Sequence, residues 1–197
     1  MSEHGQMNKS TERWGLIQKV IKSNDFKTIV EIGTWKGMGS TLAILSSKND
    51  GTNFFSVESN LEFYEVAKKN LLSYTDKFEL IHGRIVELGD VEEFCKNLEL
   101  TNEQKKWLSE DIKNLNNSIN VLSQIPQEID FLLLDGGEFS TYPEWLVLKD
   151  RSKIIALDDI KTLKCRKIFN EMINDEKFDL IENSSEGNGF SVFKRRL

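Results

Sequence analysis

The sequence is short of cysteine, of long apolar runs and of basic residues, and each shortage excludes a class of protein. Its two cysteines, Cys95 and Cys165, lie far apart in 197 residues and form no CxxC pair. A disulfide framework and a thiol-bound metal are therefore not expected, and a reducing compartment is indicated. No stretch approaches the roughly 18 apolar residues of a membrane helix, and the first residues form no apolar signal core. We expect a cytoplasmic protein with no membrane partner.

The charge balance is acidic, with 26 Lys and Arg against 32 Asp and Glu and a formal net charge of -6. Proteins that hold a phosphate backbone cluster their basic side chains, so no nucleic-acid partner is expected. The basic group at residues 194–196 is typical of a solvated tail instead. The length of the chain suits a single domain with a substantial core.

Apolar segments of strand type alternate with segments of helix type along the chain. Strands are predicted over residues 27–33, 52–59, 77–83, 128–137, 152–159, 177–183 and 188–196. Helices are predicted over residues 10–24, 40–48, 61–74 and 164–174. This alternation is typical of an α/β, doubly wound, mainly parallel sheet with helices on both faces. The last two strands have only a short Gly/Asn/Ser-rich connection, which predicts an antiparallel hairpin.

Residues 1–197 are predicted to form one domain, because no linker, repeat or low-complexity segment interrupts the chain. Residues 1–25 form an N-terminal helical extension in this prediction. Residues 84–126 are polar and mostly helical, and the segment is longer than one crossover helix requires. We expect it to add a second helix near the substrate side of the sheet.

The segment TIVEIGTWKGMGST passes from a strand into a glycine-spaced turn. In doubly wound sheets, ligands bind beyond the carboxyl ends of the strands, and glycine lets the backbone approach a ligand closely. Gly33, Gly37 and Gly39 read G-x-x-x-G-x-G, whereas the dinucleotide fingerprint is G-x-G-x-x-G. The Lys–Ser/Thr pair of a phosphate-binding P-loop is also missing. Neither NAD nor ATP is therefore well supported as the ligand.

Two acidic residues at strand ends indicate the chemistry of the ligand. Glu31 ends the first strand, where a carboxylate suits a cationic group such as an amine and would repel a pyrophosphate. Glu58 ends the second strand, where an acid typically accepts hydrogen bonds from ribose hydroxyls. The alternatives are a tight turn with an exposed Glu31, and an N-cap role for Glu58.

Four motifs in order, VEIGTWKGMGST, FFSVES, ELIHGRIVE and IDFLLLDGG, resemble those of class I S-adenosylmethionine-dependent methyltransferases over about residues 26–196. The resemblance implies a Rossmann-like, seven-stranded sheet. It also implies that the first acid and the glycine turn hold the amino-acid part of the cofactor, through Glu31, Gly33, Thr34, Trp35 and Gly37. The acid at the end of the second strand would hold the ribose, through Glu58 and Ser59. The turn after the third strand would border the adenine, through Gly83 and Arg84 with His82.

Three aspartates follow two apolar strands, namely Asp135 after FLLL and the pair Asp158 and Asp159 after IIAL. Adjacent strands lie about 4.8 Å apart, so these carboxylates can converge, and a hard cation such as Mg²⁺ would relieve their repulsion. The pattern resembles metal-dependent O-methyltransferases of the catechol and macrolide-sugar types. That resemblance implies a metal held by the three aspartates, which orients two substrate hydroxyls and lowers the pKa of one. Helix capping and backbone hydrogen bonding are the alternatives.

The general base is less specified by the sequence. Catechol-type enzymes carry a lysine three residues after the first metal-binding aspartate, and this chain has Glu138 there. Glu138 is a candidate base, metal ligand or substrate contact, and His82 is a second candidate base or a buried neutral ring. With Asp135, these form the predicted catalytic set. Lys161 and Lys164 would bind an anionic substrate or remain solvated.

These patterns together predict an S-adenosylmethionine-dependent methyltransferase that methylates an oxygen of a small hydroxylated molecule, such as a sugar or secondary metabolite, with help from Mg²⁺. One alternative is a Rossmann-type enzyme that uses NAD or a sugar nucleotide, which the glycine spacing opposes. Another is a non-catalytic, methyltransferase-like subunit. Exposed aromatic residues such as Trp14 and Trp107 would mark a homodimer surface.

Overall fold

Seven strands form one sheet in the computed structural model, which describes residues 7–196. The strands are β1 (Thr28–Ile32), β2 (Asn53–Glu58), β3 (Glu79–His82), β4 (Ile129–Leu134), β5 (Ser152–Asp158), β6 (Phe178–Ser184) and β7 (Phe190–Arg195). Their spatial order is β3-β2-β1-β4-β5-β7-β6. The first five strands run parallel to one another, and β7 runs antiparallel to both β5 and β6. The predicted α/β, doubly wound, Rossmann-like fold with a C-terminal hairpin is confirmed.

Helices cover both faces of this sheet. They are α1 (Glu12–Lys22), α2 (Ser40–Leu45), α3 (Leu61–Asn70), α4 (Leu88–Cys95), α5 (Asn102–Asn116), α6 (Thr141–Leu148) and α7 (Leu163–Ile173). Successive residues of β4 point to opposite faces, as the strand period of two requires. Phe131 and Leu133 join the core under α1 and α2, whereas Leu132 and Leu134 join the core under α4 to α7. Both faces of β4 are buried, which explains its continuous apolar sequence.

The polar segment 84–126 forms α4, α5 and a short 3-10 turn at Leu122–Gln124. A capping box at Thr101 and Gln104 starts α5, since each side chain accepts from the other residue's backbone nitrogen. The Arg84 guanidinium donates to the backbone carbonyls of Leu115 and Ser118, which fixes the end of α5 beside β3. The second helix expected in this segment is therefore present, and it lies beside the carboxyl edge of the sheet.

One expectation about aromatic residues is wrong. Trp14 is only 4% exposed, because α1 turns it into the core rather than to a partner surface, whereas Trp107 is 40% exposed. The predicted helices also leave out α6, which residues Thr141–Leu148 form. That helix is buried on several sides and so lacks an amphipathic period, and its Pro143 lies in the first turn, where proline is tolerated.

Residues 1–6 of the predicted N-terminal extension lie outside the described residues, and its helix begins at Glu12. From residue 7 to residue 196, no helix combines the length and the apolarity that crossing a membrane would require.

Candidate functional site

Two adjoining cavities open along the carboxyl ends of the parallel strands. The β2-side cavity has a volume of about 160 Å³, and the β5-side cavity has a volume of about 260 Å³. They share Gly33, Trp35 and Asp135 in their walls, so together they form one cleft across β2, β1, β4 and β5. This is the edge of a doubly wound sheet at which ligands bind.

The turn after β1 forms the floor of the cleft because glycine lets it approach the neighbouring strand. Gly33 has a φ of 97°, and a Cβ atom there would lie 2.1 Å from the carbonyl oxygen of Asp135. Gly37 has a φ of 76°, and its Cβ would meet the side chain of Leu71 at 2.5 Å. Trp35 also adopts a positive φ of 50° without being glycine. Two of the three glycines that the sequence singles out, Gly33 and Gly37, are therefore required by the backbone geometry of the turn.

Glu31 lies beneath this turn and is fully buried. Its carboxylate accepts hydrogen bonds from the hydroxyls of Ser40 at 2.5 Å, Thr41 at 2.7 Å and Ser56 at 2.6 Å. Burial raises the pKa of Glu31, and the hydroxyl donors oppose that rise. Thr34, which lines the β5-side cavity, bonds the same Ser56 hydroxyl at 2.6 Å. Glu31 lines neither cavity, so its predicted contact with the cofactor stays a prediction, and its visible role is to hold β1, β2 and α2 together.

Glu58 lines the β2-side cavity from the end of β2. Its carboxylate accepts from the backbone nitrogens of Trp35 at 2.7 Å and Asn60 at 2.8 Å. Burial raises its pKa to about 7, although these backbone donors lower it. The cap of α3 is the Asn60 side chain, which accepts from the backbone nitrogen of Phe63. The N-cap alternative for Glu58 is therefore wrong, and its carboxylate faces the cavity.

The β2-side cavity is also lined by Ser59, which was predicted beside the ribose, and by Gly83 and Arg84, which were predicted beside the adenine. Their contacts with the cofactor stay predictions. His82 is elsewhere, with its ring 5.3 Å from that of Tyr64 and its Nε2 atom 3.3 Å from the Ser59 carbonyl oxygen. Two strands separate β3 from β4, so about 14 Å lies between His82 and the aspartate cluster. The structure does not bring His82 to the place where a general base would be needed.

Four polar residues of this cavity were not predicted, namely Asn60 at the start of α3, Asp111 and Asn114 on α5, and Glu144 on α6. Asp111 accepts from the backbone nitrogen of Phe139 at 2.9 Å, and burial raises its pKa to about 6. Burial raises the pKa of Glu144 to about 8, and its Oε2 atom is buried with no hydrogen-bond partner within residues 7–196. A lone acid in the apolar stretch TYPEWLVL was the available signal for Glu144, whereas no local pattern identifies Asp111.

The structure brings Asp135, Asp158 and Asp159 together at the other end of the cleft. One carboxylate oxygen from each lies within 4.8 Å of the others. Asp135 follows β4, Asp158 ends β5, and Asp159 adopts a positive φ of 59° that turns the chain toward α7. Burial raises the pKa of Asp135 and of Asp158. The convergence follows from the pairing of β4 with β5, as expected.

Two basic side chains already lie within this aspartate cluster. The Lys164 ammonium is 2.6 Å from Asp135 Oδ1 and 2.8 Å from Asp159 Oδ2. The Arg13 guanidinium is 2.8 Å from Asp158 Oδ1 and 3.8 Å from Asp159 Oδ1. Burial alone would lower the pKa of Lys164, but the neighbouring carboxylates raise it well above its ordinary value, which favours the charged form of the ammonium group. The sequence indicated neither the position of Lys164 between two carboxylates nor any part for Arg13.

Glu138 lies beside the aspartate cluster, where its carboxylate caps the start of α7. Its carboxylate accepts from the Leu163 backbone nitrogen at 2.9 Å and lies 3.3 Å from the Thr162 hydroxyl. A carboxylate at the start of α7 is favourable because free N–H groups and the positive end of the helix dipole meet it there. Glu138 lines neither cavity of the cleft. Its predicted role as a base stays untested, and its visible role is to position the segment that carries Lys164.

No protein-family model matches the sequence, and no curated protein is similar to it in sequence. Solved structures are nevertheless similar in fold. The O-methyltransferase from Bacillus cereus in complex with SAH is 14% identical, with a TM-score of 0.64 over 95% of this chain and 82% of that one. The O-methyltransferase TomG from Streptomyces achromogenes, involved in tomaymycin synthesis and solved with SAM, is 12% identical, with a TM-score of 0.63 over 94% and 80%. These similarities show that the chain shares the fold of these enzymes.

Proposed function

We propose that the chain is an S-adenosylmethionine-dependent methyltransferase that methylates an oxygen of a small hydroxylated molecule, such as a sugar or secondary metabolite. The observation that carries this proposal is the continuous cleft over the glycine turn, with Glu58 at one end and the aspartate cluster at the other. The solved O-methyltransferases of the same fold, several of them bound to SAH or SAM, support it.

The nucleoside half of the cofactor suits the β2-side cavity. A carboxylate has about four lone-pair sites, and Glu58 uses two of them for backbone donors, which leaves capacity for ribose hydroxyls. Ser59, Gly83 and Asp111 surround the space beyond Glu58, where the base would lie. A positively charged sulfonium is favoured in a cleft lined mainly by acidic side chains.

The acceptor suits the β5-side cavity, where the aspartate cluster and Lys164 lie beside the glycine turn. When bound, the cofactor supplies an electrophilic methyl group. The chain's own part is to orient the acceptor hydroxyl toward the turn, to exclude water and to receive the hydroxyl proton on a carboxylate. Asp135 is placed for this role because it lines both cavities.

The predicted Mg²⁺ has a suitable set of oxygen ligands in the three aspartates, which is the chemistry that hard cations prefer. The arrangement nevertheless does not fit the ion, because Lys164 and Arg13 already make close ion pairs with all three carboxylates. A divalent cation beside two buried cations would be repelled. We therefore route no step of the proposed reaction through a metal.

The test of the proposed function is calorimetric titration with S-adenosylhomocysteine, with NAD as the control ligand. One saturable site for S-adenosylhomocysteine and none for NAD is the expected result. Tighter binding of NAD would support the nucleotide-using alternative and contradict the proposal. Transfer of a labelled methyl group to a panel of sugars and phenols then tests catalysis, and binding without transfer to any acceptor would favour a non-catalytic subunit.

A further inference from the structure

We propose that Lys164 takes the place of the divalent cation of metal-assisted methyl transfer, so that its ammonium group binds the acceptor oxygen and the aspartate cluster excludes Mg²⁺. The inference rests on the proposed function and adds to it the group that holds the acceptor. Metal-assisted transfer uses a cation at this edge of the sheet to bind the acceptor oxygen and stabilise its developing negative charge. An ammonium group can do the same, since its positive charge and N–H donors suit a developing oxyanion.

The position of Lys164 is the first argument. Its ammonium bridges Asp135 at the end of β4 and Asp159 after β5, at distances of 2.6 Å and 2.8 Å. A cation bound by the three aspartates would need oxygens of these same carboxylates, one from each of which lies within 4.8 Å of the others. Lys164 therefore lies where the sequence pattern predicts the metal.

The hydrogen-bonding capacity of Lys164 is the second argument. An ammonium group has three N–H donors, and two of them are directed at Asp135 and Asp159. Lys164 is 7% exposed, and it lines the β5-side cavity, which is where we place the acceptor. Among residues 7–196, no further acceptor for its third donor is present, so that donor is available to an oxygen bound in the cavity.

The elements around Lys164 fix its position before any ligand binds. Glu138 accepts from the backbone nitrogen of Leu163, and the Thr162 side chain accepts from the backbone nitrogen of Lys164 itself. The first turn of α7 is thus held from two sides. Arg13 pairs with Asp158, so the third carboxylate of the cluster is also neutralised without a metal. A donor held in advance stabilises a developing charge without reorganisation during the reaction.

The reaction balances without a metal. The acceptor hydroxyl gives its proton to the Asp135 carboxylate, while its oxygen forms a bond to the methyl carbon. The bond from that carbon to sulfur breaks, and its electron pair stays on sulfur, which becomes a neutral thioether. Lys164 remains protonated throughout and donates a hydrogen bond to the acceptor oxygen.

The experiment is a Mn²⁺ titration followed by electron paramagnetic resonance, with saturating S-adenosylhomocysteine, on the wild type, three lysine variants and Asp135→Asn. The wild type and Lys164→Arg are expected to bind no Mn²⁺ at the cluster, because both keep a cation there. Lys164→Met is expected to gain Mn²⁺ affinity by about tenfold or more, since one repulsive charge is removed. Lys161→Met is the matched control, because Lys161 is exposed and lines neither cavity of the cleft, and within residues 7–196 its ammonium group donates to the carbonyls of Ser185 and Gly187.

Activity gives the second measurement once an acceptor is known. Chelator is expected to leave the wild-type rate unchanged. Lys164→Met is expected to lower the rate by about 10² to 10³, as for loss of one donor to a developing oxyanion, with S-adenosylhomocysteine affinity kept. Lys161→Met is expected to change neither quantity.

The outcomes separate this inference from the proposed function. If wild-type protein binds no S-adenosylhomocysteine, the proposed function fails. If it binds S-adenosylhomocysteine and also takes up one Mn²⁺ per chain that Asp135→Asn abolishes, the role of Lys164 is overturned and the methyltransferase remains. The wild-type titration decides this even if Lys164→Met does not fold.

Discussion

The carboxylate of Glu58 accepts a hydrogen bond of 2.7 Å from the backbone nitrogen of Trp35. This contact joins the end of β2 to the glycine turn after β1. It also holds Trp35 at a φ of 50°, a backbone conformation that residues other than glycine seldom adopt. The residue predicted to hold the ribose therefore also shapes the turn that forms the floor of the cleft. A change at Glu58 is expected to affect both.

The Glu58→Gln variant tests the cofactor assignment. The amide offers one acceptor oxygen where the carboxylate has two, so either a backbone donor or a ribose hydroxyl loses its partner. Hydrogen bonds to a charged group contribute about 1.5–3 kcal/mol, so the dissociation constant for S-adenosylhomocysteine is expected to rise about 10- to 100-fold. Calorimetry measures this, with Glu62→Gln on the exposed start of α3 as the matched control. Unchanged affinity in Glu58→Gln would show that the ribose lies elsewhere.

Stability should depend on pH through the same residue. Burial raises the pKa of Glu58 from an ordinary value of 4.5 to about 7. Between these values the folded chain holds a proton that the unfolded chain has lost, so stability falls as pH rises across this window. The shift corresponds to about 3 kcal/mol, lost by the time the pH exceeds the folded pKa.

Urea unfolding of the wild type and Glu58→Gln from about pH 5 to about pH 8 measures this contribution. Asp111 and Glu144 have pKa values raised by burial as well, so the difference between the two proteins isolates Glu58. The wild type is expected to lose more stability than the variant as the pH rises. An equal pH dependence in the two proteins would mean that the pKa of Glu58 is not raised in the folded chain.

The close approach of the glycine turn predicts that Gly33→Ala is severely destabilising. A Cβ atom at this position would lie 2.1 Å from a backbone oxygen, and the φ of 97° disfavours any side chain. Backbone strain of this kind costs about 1–3 kcal/mol, and the contact of the added Cβ atom with the backbone oxygen adds to that cost. We therefore expect the free energy of unfolding to fall by about 3 kcal/mol or more. Gly15→Ala is the contrasting control, because Gly15 lies within α1 and a Cβ atom added there would meet no packed neighbour within 4 Å among residues 7–196, so the variant should gain up to about 1 kcal/mol. A Gly33→Ala protein as stable as the wild type would contradict the packing of this turn.

The ends of the strands could be predicted from the sequence because each apolar run stops at a polar residue. Glu58, Asp135 and Asp158 were identified in this way, and parallel pairing then placed them on one edge. Residues that reach this edge of the sheet from helices distant in sequence could not be identified from the strand pattern. Arg13 contacts a residue 145 positions away, and Asp111 meets the β4 loop only because α5 packs there.

Lys164 shows the other limit of sequence reasoning. Its nearness to the aspartate pair was visible, but a lysine in a first helical turn is as compatible with a solvated side chain as with a buried one. Only the burial of α7 against β5 and the left-handed turn at Asp159 direct it inward. The same carboxylates that predict a metal are thus the partners of a lysine, and charge pattern alone does not separate the two cases.

The buried pair of Arg13 and Asp158 predicts a strong energetic coupling across the chain. The side chains are 3% and 7% exposed, so removing one partner leaves a buried charge, at a cost of about 3–5 kcal/mol. Arg13→Met and Asp158→Asn should each destabilise the protein, and the double variant should lose clearly less than the sum. Urea unfolding of the four proteins gives the coupling energy.

Lys19 and Glu182 form the control cycle. This ion pair likewise joins α1 to the sheet, here at β6, but its lysine is 62% exposed, so its coupling energy should not exceed about 1 kcal/mol. If the two cycles give equal coupling, Arg13 does not neutralise the cluster, and the charge balance that excludes a metal there is lost.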